Sequence, residues 1–291
     1  MSGIVVGIGE ALWDILPDGK KLGGAPANFA CHVSQLGFDS CVVSAVGDDD
    51  LGRELVAQLS DKNIRMLVST VPYPTGTVQV SLDEKGVPCY DITQNAAWDN
   101  TPYTKELESL AGKTAAVCFG SLAQRSEASR AAINGFLSAL NREVCRYRVF
   151  DVNLRQHFYT REILNASMEQ CNILKINDEE LVELGAVFGY HGEIKSVCRE
   201  IQKDYDLDML ILTCGESGSY IFYDSRVSYL ETPIVKVADT VGAGDSFTAA
   251  FVVALLKGMS VEDAHNNAVK ISAFVCTREG AMPEIPRDLK F

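Results

Sequence analysis

From about Thr104 onwards, short and continuous apolar runs alternate with stretches of helical pattern. Residues 115–119, 148–152 and 173–176 read as strands, with 127–142 and 162–171 as helices between them. Such alternation implies a mostly parallel sheet with right-handed crossovers, flanked by helices. The flanks extend the pattern. Residues 3–9 and 40–46 read as buried strands, and 49–59 as an amphipathic helix. Further strands are expected at 209–213, 219–223 and 228–230, a β-like run at 234–237, and helices at 243–256 and 261–277. There is no internal repeat, low-complexity tract or linker, so residues 1–291 are expected to form one α/β domain.

One segment has a different texture. Thr77-Val78-Gln79-Val80-Ser81-Leu82 alternates apolar and polar, Asp83-Glu84-Lys85-Gly86 is a turn, and residues 87–92 can return. This hairpin is expected to form a small flap, with segments 10–22 and 75–95 contributing to a β lid. Val78, Val80 and Leu82 share a face, and a lone hairpin is marginal in water. That face needs cover from the main domain and its ligand, or from the same hairpin of a second copy in a homodimer.

Composition limits the partners. The formal charge of −13, from 26 basic and 39 acidic residues, argues against a general nucleic-acid or anionic-membrane surface. No N-terminal stretch reads as a signal peptide, and no apolar run approaches membrane-spanning length. The nine cysteines are scattered through apolar runs without a CxxC pair, which fits reduced thiols in a cytoplasm.

The chemistry-bearing stretches lie at strand ends. Asp239-Thr240-Val241-Gly242-Ala243-Gly244-Asp245-Ser246-Phe247 precedes a long apolar helix. A glycine-bearing turn that opens a helix presents free N–H groups and the positive dipole end, which suits phosphate. A carboxylate at Asp245 would repel phosphate. It makes sense as a base that takes a hydroxyl proton while Gly242, Ala243 and Gly244 hold developing charge. An Asp near a helix start also acts as a cap, and this stretch alone leaves both readings open.

Leu22-Gly23-Gly24-Ala25-Pro26-Ala27-Asn28 allows close backbone approach, with Pro26 in the first turn of a helix running to about Leu36. Gly7 and Gly9 fail the dinucleotide fingerprint, because Leu12 stands at its third glycine. Polar groups also follow the expected strands at Asp151-Val152-Asn153-Leu154-Arg155, Asn177-Asp178-Glu179-Glu180 and Thr213-Cys214-Gly215-Glu216-Ser217-Gly218. Asn177 and Glu180 also have the spacing of an ordinary capping box. Ligands of open α/β sheets bind beyond such strand ends.

Together, Gly23–Asn28, Asn177-x-x-Glu180, the 213–218 loop and the Asp239–Phe247 motif resemble the ribokinase-like (PfkB) family of carbohydrate kinases, most closely its fructokinases. The resemblance implies an ATP-dependent transfer of the γ-phosphoryl group to a sugar's primary hydroxyl, most simply D-fructose to fructose 6-phosphate. By analogy Asp245 is the base, and the amides of Gly242, Ala243, Gly244 and Asp245 form the anion hole. Asp14, Gly24 and Asn28 would bind sugar hydroxyls, and Arg155 would reach the sugar or the moving phosphate. Asn177 and Glu180 would organise phosphate and water-bound Mg²⁺, and Thr213, Gly215 and Gly218 would line the nucleotide. Asp239, Val241, Val275, Arg278, Gly280 and Glu284 match a family site for a monovalent cation such as K⁺. Glu284 stands where some ribokinases have serine. Ser121 lies near where ribokinases carry a sugar-binding glutamate, which counts against ribose. Within the resemblance, 2-keto-3-deoxygluconate, another sugar or a nucleoside stays open as the acceptor. A catalytically silent binding protein on the same fold is the other class, and the intact Asp245 turn argues against it.

Overall fold

A computed structural model describes residues 3–17, 19–62, 64–82 and 88–291. In chain order the strands are β1 Ile4–Ile8, β2 Leu12–Leu16, β3 Gly19–Gly23, β4 Ser40–Gly47, β5 Arg65–Val71, β6 Thr77–Leu82 and β7 Pro88–Ile92. They continue with β8 Thr114–Gly120, β9 Tyr147–Asp151, β10 Ile173–Asn177, β11 Met209–Thr213, β12 Ser219–Tyr223 and β13 Arg226–Leu230. The helices are α1 Ala25–Gln35, α2 Asp50–Asp61, α3 Lys105–Ala111, α4 Glu127–Ala139, α5 Arg161–Gln170, α6 Asp178–Phe188, α7 Ile194–Asp204, α8 Ala243–Leu256 and α9 Val261–Cys276.

The main sheet runs β13-β12-β11-β10-β9-β8-β1-β4-β5. Every pairing from β5 to β11 is parallel, and β12 and β13 close one edge as antiparallel strands. Continuous apolar strands bury both faces, and the core divides accordingly. Val5, Val149, Ile173 and Ile211 pack with α8 and α9 on one side. Their strand neighbours Val6, Phe150, Leu174 and Leu212 pack with Phe136, Leu164 and Leu184 on the other. Helix α8 is buried along its whole length from Ser246 to Leu256, as its uninterrupted apolar sequence requires. No helix among the described residues is long and apolar enough to cross a membrane. Eight cysteines of the described residues are free thiols.

The run 234–237 is a correction to the sequence reading. It forms no strand, and Ile234 is fully exposed while Val237 is 54% exposed. The antiparallel hairpin β12–β13 already occupies that edge of the sheet, and the segment leaves it to reach Cys276, whose carbonyl accepts from Ala238 N at 2.8 Å. The helix expected over 127–142 stops at Ala139, because Leu140 turns to extended backbone. Strand β5 and helices α3 and α7 were not among the expected elements.

A second sheet is ordered β3-β2-β6-β7. The turn 83–87 falls outside the described residues, as do the side chains of Val80 and Leu82. Val78 and Ile92, at the roots of β6 and β7, are buried in the chain's own core beside Trp98. Here Arg125 makes a bidentate contact to Asp99, Nε to Oδ1 at 2.8 Å and Nη2 to Oδ2 at 2.7 Å, and also donates to Thr93 O at 2.6 Å. Its guanidinium lies 4.2 Å from the Trp98 ring centroid and 4.5 Å from that of Phe158. A Cβ at Gly76 would fall 2.2 Å from Trp98 Nε1, so only glycine fits at the root of β6.

This knot fastens both roots of the hairpin to the main domain, with side-chain exposures of only 8% for Arg125 and 3% for Asp99. Removing one partner strands the other's charge. Arg125→Ala is expected to cost about 3–5 kcal/mol of stability, measured by urea unfolding. A loss under about 1 kcal/mol, the level of a surface pair, would show that the pair does not hold the hairpin root.

Candidate active site

The parallel strands deliver their polar C-terminal ends to one edge, and two helix N-termini meet there. Helix α1 starts at Gly24, whose φ of 102° is left-handed and whose Cβ would lie 2.4 Å from Glu10 O. At Gly23 a Cβ would meet Asp14 Oδ2 at 2.4 Å. The two glycines are therefore demanded by close approach of the Glu10–Asp14 segment. One turn into α1, Asn28 donates from Nδ2 to Asp245 Oδ2 at 2.8 Å across 217 residues of sequence.

Helix α8 is opened by Gly242 at φ 78°, where a Cβ would lie 2.6 Å from Ala281 O. Ala243 N is taken by Thr240 O at 3.2 Å. The N–H groups of Gly244 and Asp245 have no protein acceptor among the described residues. Their peptides are held from the carbonyl side. Ser246 and Ser272 hydroxyls donate to Ala243 O at 2.9 and 3.0 Å, and Thr248 donates to Gly244 O at 3.0 Å. A trans peptide whose carbonyl is pinned has its N–H aimed the opposite way. The first turn thus offers a fixed pair of donors at the positive end of a helix.

Carboxyl groups crowd this end of the sheet. Burial, reinforced by the Asp151 carboxylate, pushes Asp245 up to about 6, against the opposing pull of Asn28, Lys175 and Arg155. Burial pushes Glu10 up to about 7 and Asp14 up to about 6. Glu10 is 2% and Asn28 3% exposed. Glu10 Oε2 and Asn28 Oδ1 are both acceptors without a partner among the described residues. Arg155 is exposed and donates to its neighbour's carbonyl, Leu154 O, at 3.0 Å, while its charge lowers the pKa values of Glu10, Asp14 and Asp245.

Asn177 and Glu180 form the capping box of α6. Asn177 Oδ1 accepts from Glu180 N at 2.7 Å and Glu180 Oε2 from Asn177 N at 2.9 Å. Glu180 Oε1 accepts from Leu154 N at 3.0 Å, so both oxygens are engaged and the group is 5% exposed. Thr213 ends β11. The loop after it turns back through Gly215 at φ 52° and Gly218 at φ 99°, with Cys214 N bonded to Gly218 O at 2.8 Å. A Cβ at Gly215 would meet nothing, whereas one at Gly218 would lie 2.4 Å from Leu230 O.

Asp239 Oδ1 accepts from Val241 N and Oδ2 from Gly280 N, each at 3.0 Å, which stitches the α8 turn to the loop after α9. Val275 O caps α9 by accepting from Arg278 N at 3.0 Å. Glu284 is exposed. No cluster of three or more His, Cys, Asp or Glu among the described residues is arranged to cage a metal ion.

Sequence pattern did not single out Glu10, Lys175 or Ser272. Lys175 lies between the apolar Leu174 and Ile176 of β10, 7% exposed, and pairs with Asp151 Oδ1 at 3.1 Å. A lysine inside a buried strand signals a buried partner, because its charge is not left unpaired there.

Residues 18–288 match the pattern of the pfkB family of carbohydrate kinases. The chain is 29% identical over 309 residues to a fructokinase of Klebsiella pneumoniae, covering 98% of this chain and 97% of that one. Its fold is similar to that of a sugar kinase of Pyrococcus horikoshii solved in complex with ATP. The TM-score is 0.78 at 26% identity, covering 96% and 94% of the two chains. A 2-dehydro-3-deoxygluconokinase of Thermotoga maritima has the same fold, with a TM-score of 0.86 at 19% identity over 97% and 96%. The chain belongs to the pfkB family of carbohydrate kinases, phosphotransferases that act on a sugar hydroxyl.

Proposed function

We propose that this kinase transfers the γ-phosphoryl group of ATP to O6 of D-fructose. The observation that carries the reading is the placement of Asp245. It lies beside two free amides at the N-terminus of α8 and is bonded at 2.8 Å to Asn28 of α1. In the reaction the O6 proton passes to the Asp245 carboxylate, the O6–P bond forms, and the bond from phosphorus to the β,γ-bridging oxygen breaks to release ADP. The Gly244 and Asp245 amides, with Gly242 shaping the turn, receive the charge on the transferring group. Ala243 serves through its pinned carbonyl instead of its N–H.

A sugar presents hydroxyl donors, and this site is rich in acceptors: Asn28 Oδ1, Glu10 Oε2 and the carboxyls of Asp14 and Asp245. Gly24 lets the sugar approach the backbone, and Arg155 reaches the moving phosphate. Crowded carboxyls favour a neutral sugar over 2-keto-3-deoxygluconate, whose own carboxylate they would repel. The small sheet over the site would close on the sugar and exclude water, so that O6 receives the phosphoryl group. A homodimer formed through the hairpin completes the proposal, although Val78 and Ile92 at its roots are already covered by the chain's own core.

For the nucleotide, Asn177, Thr213, Gly215 and Gly218 lie at adjoining strand ends, and Gly215 leaves open space for a ring or ribose. Mg²⁺ on the phosphates would neutralise their charge. Glu180, whose two oxygens each accept one backbone N–H bond, would meet it through a water on a remaining lone pair. K⁺ would be held by carbonyl groups among Val241, Val275, Arg278 and Gly280. Asp239 orients that loop, and the exposed Glu284 is a weaker candidate.

Asp245→Asn should keep the fold and sugar binding while turnover falls at least about a hundredfold, the usual scale for loss of a general base. Wild-type-like turnover would overturn the assignment. With Mg-ATP and a panel of sugars, D-fructose should give the highest kcat/KM and a product phosphorylated on O6. A preference for 2-keto-3-deoxygluconate or adenosine would reject fructose and leave the family standing.

A further inference from the structure

The charge nearest the α8 turn that this mechanism leaves unused is Lys175. Its partner Asp151 is its direct cross-strand neighbour in the β9–β10 register. Side-chain exposures are 9% for the lysine and 7% for the aspartate. A buried ion pair contributes little net stability, since well-packed apolar residues of similar volume do as well or better. Its location is more informative than its strength. A Cβ built on Gly244 would lie 3.1 Å from Lys175 Nζ and 3.7 Å from Cε, so the ammonium sits directly beneath the turn. The second Asp151 oxygen meets Thr248 Oγ1 at 3.5 Å, and the same hydroxyl holds Gly244 O at 3.0 Å. Asp151, Thr248 and Asp245 also line one shared cavity of about 10 Å³, room for a single water.

We propose that Lys175, held by Asp151, is a positioning residue for phosphoryl transfer. It seats the Gly244 turn on the ends of β9 and β10, and its charge supports both the amide donors and the ionised form of Asp245. This rests on the reading of Asp245 as the base.

Groups from every neighbouring element bear on the two charges. Asp151 from β9, Lys175 from β10, Glu10 beyond β1, Arg155 beyond β9, the Asn28 amide of α1 and the Cys118 thiol of β8 surround Asp245. Asp151, Glu180 of α6 and Asp245 surround Lys175. Burial opposes its charge, but these carboxylates outweigh burial and raise its pKa. The signs are therefore opposite: Lys175 favours ionised Asp245, and Asp151 disfavours it.

The test is the pH profile of kcat with Mg-ATP and fructose for Lys175→Met, Asp151→Asn and the double variant Lys175→Met/Asp151→Leu. Lys175→Met should move the acid limb up by about one pH unit, and Asp151→Asn should move it down by a similar amount. The double variant removes both charges, so it should fold as stably as the wild type with its limb near the original position. It should still lose at least about tenfold in kcat, with KM for sugar little changed, because the turn has lost its seat. Limbs that stay put or move together in the single variants would overturn the proposal. So would a folded double variant with full kcat. If a single variant fails to fold, the double variant alone decides. An acid limb that survives in Asp245→Asn would instead refute the base reading, and the two failures are thereby distinguished.

Discussion

One hydrogen bond, from Asn28 to Asp245, ties the two halves of the site together. Asn28 belongs to a helix opened by a Gly-Gly-Ala-Pro turn, Asp245 to a helix opened by Gly-Ala-Gly. Both helices pack on the same face of the sheet, Phe29 and Val33 in one cluster with Phe247 and Phe251. Their N-termini therefore converge beyond the strand ends. The glycines that open α1 and the free amides of α8 are held in one frame, and the carboxylate between them has a fixed orientation.

That frame opposes part of the fold's stability. Glu10, Asp14 and Asp245 titrate at about 7, 6 and 6, above the ordinary carboxyl range, because burial disfavours their charged forms. The native state thus binds more protons than the unfolded chain between the ordinary values and these raised ones. The stability they contribute is present below that window and is lost as pH rises through 6 to 7. Groups that weaken the fold at neutral pH while gathered at one end of a sheet point to a site shaped for chemistry.

The parallel sheet was legible because its strands are apolar on both faces and its helices carry their own start signals, such as Pro26 and the Asn177–Glu180 box. The turn at Gly242–Asp245 was legible because few other arrangements need those glycines. The run 234–237 misled. Its apolar residues look like a strand, but β13 has already closed that edge of the sheet, and a strand needs a partner that local sequence does not show. The pairing of Lys175 with Asp151 was hidden for a related reason. The two face each other only once β9 and β10 are set in register, a long-range fact. Glu10 was hidden because its burial depends on α1 and α8 arriving from elsewhere in the chain.

The most direct test is the titration of Asp245 itself. With ¹³C-labelled aspartate, the carboxyl resonance missing from Asp245→Asn can be followed against pH in the free enzyme. The account predicts a midpoint near 6, displaced from the ordinary 3.8. A midpoint at the ordinary value would mean that the carboxyl is neither desolvated nor opposed by Asp151, and would contradict the central claim that the fold tunes this residue to accept a proton.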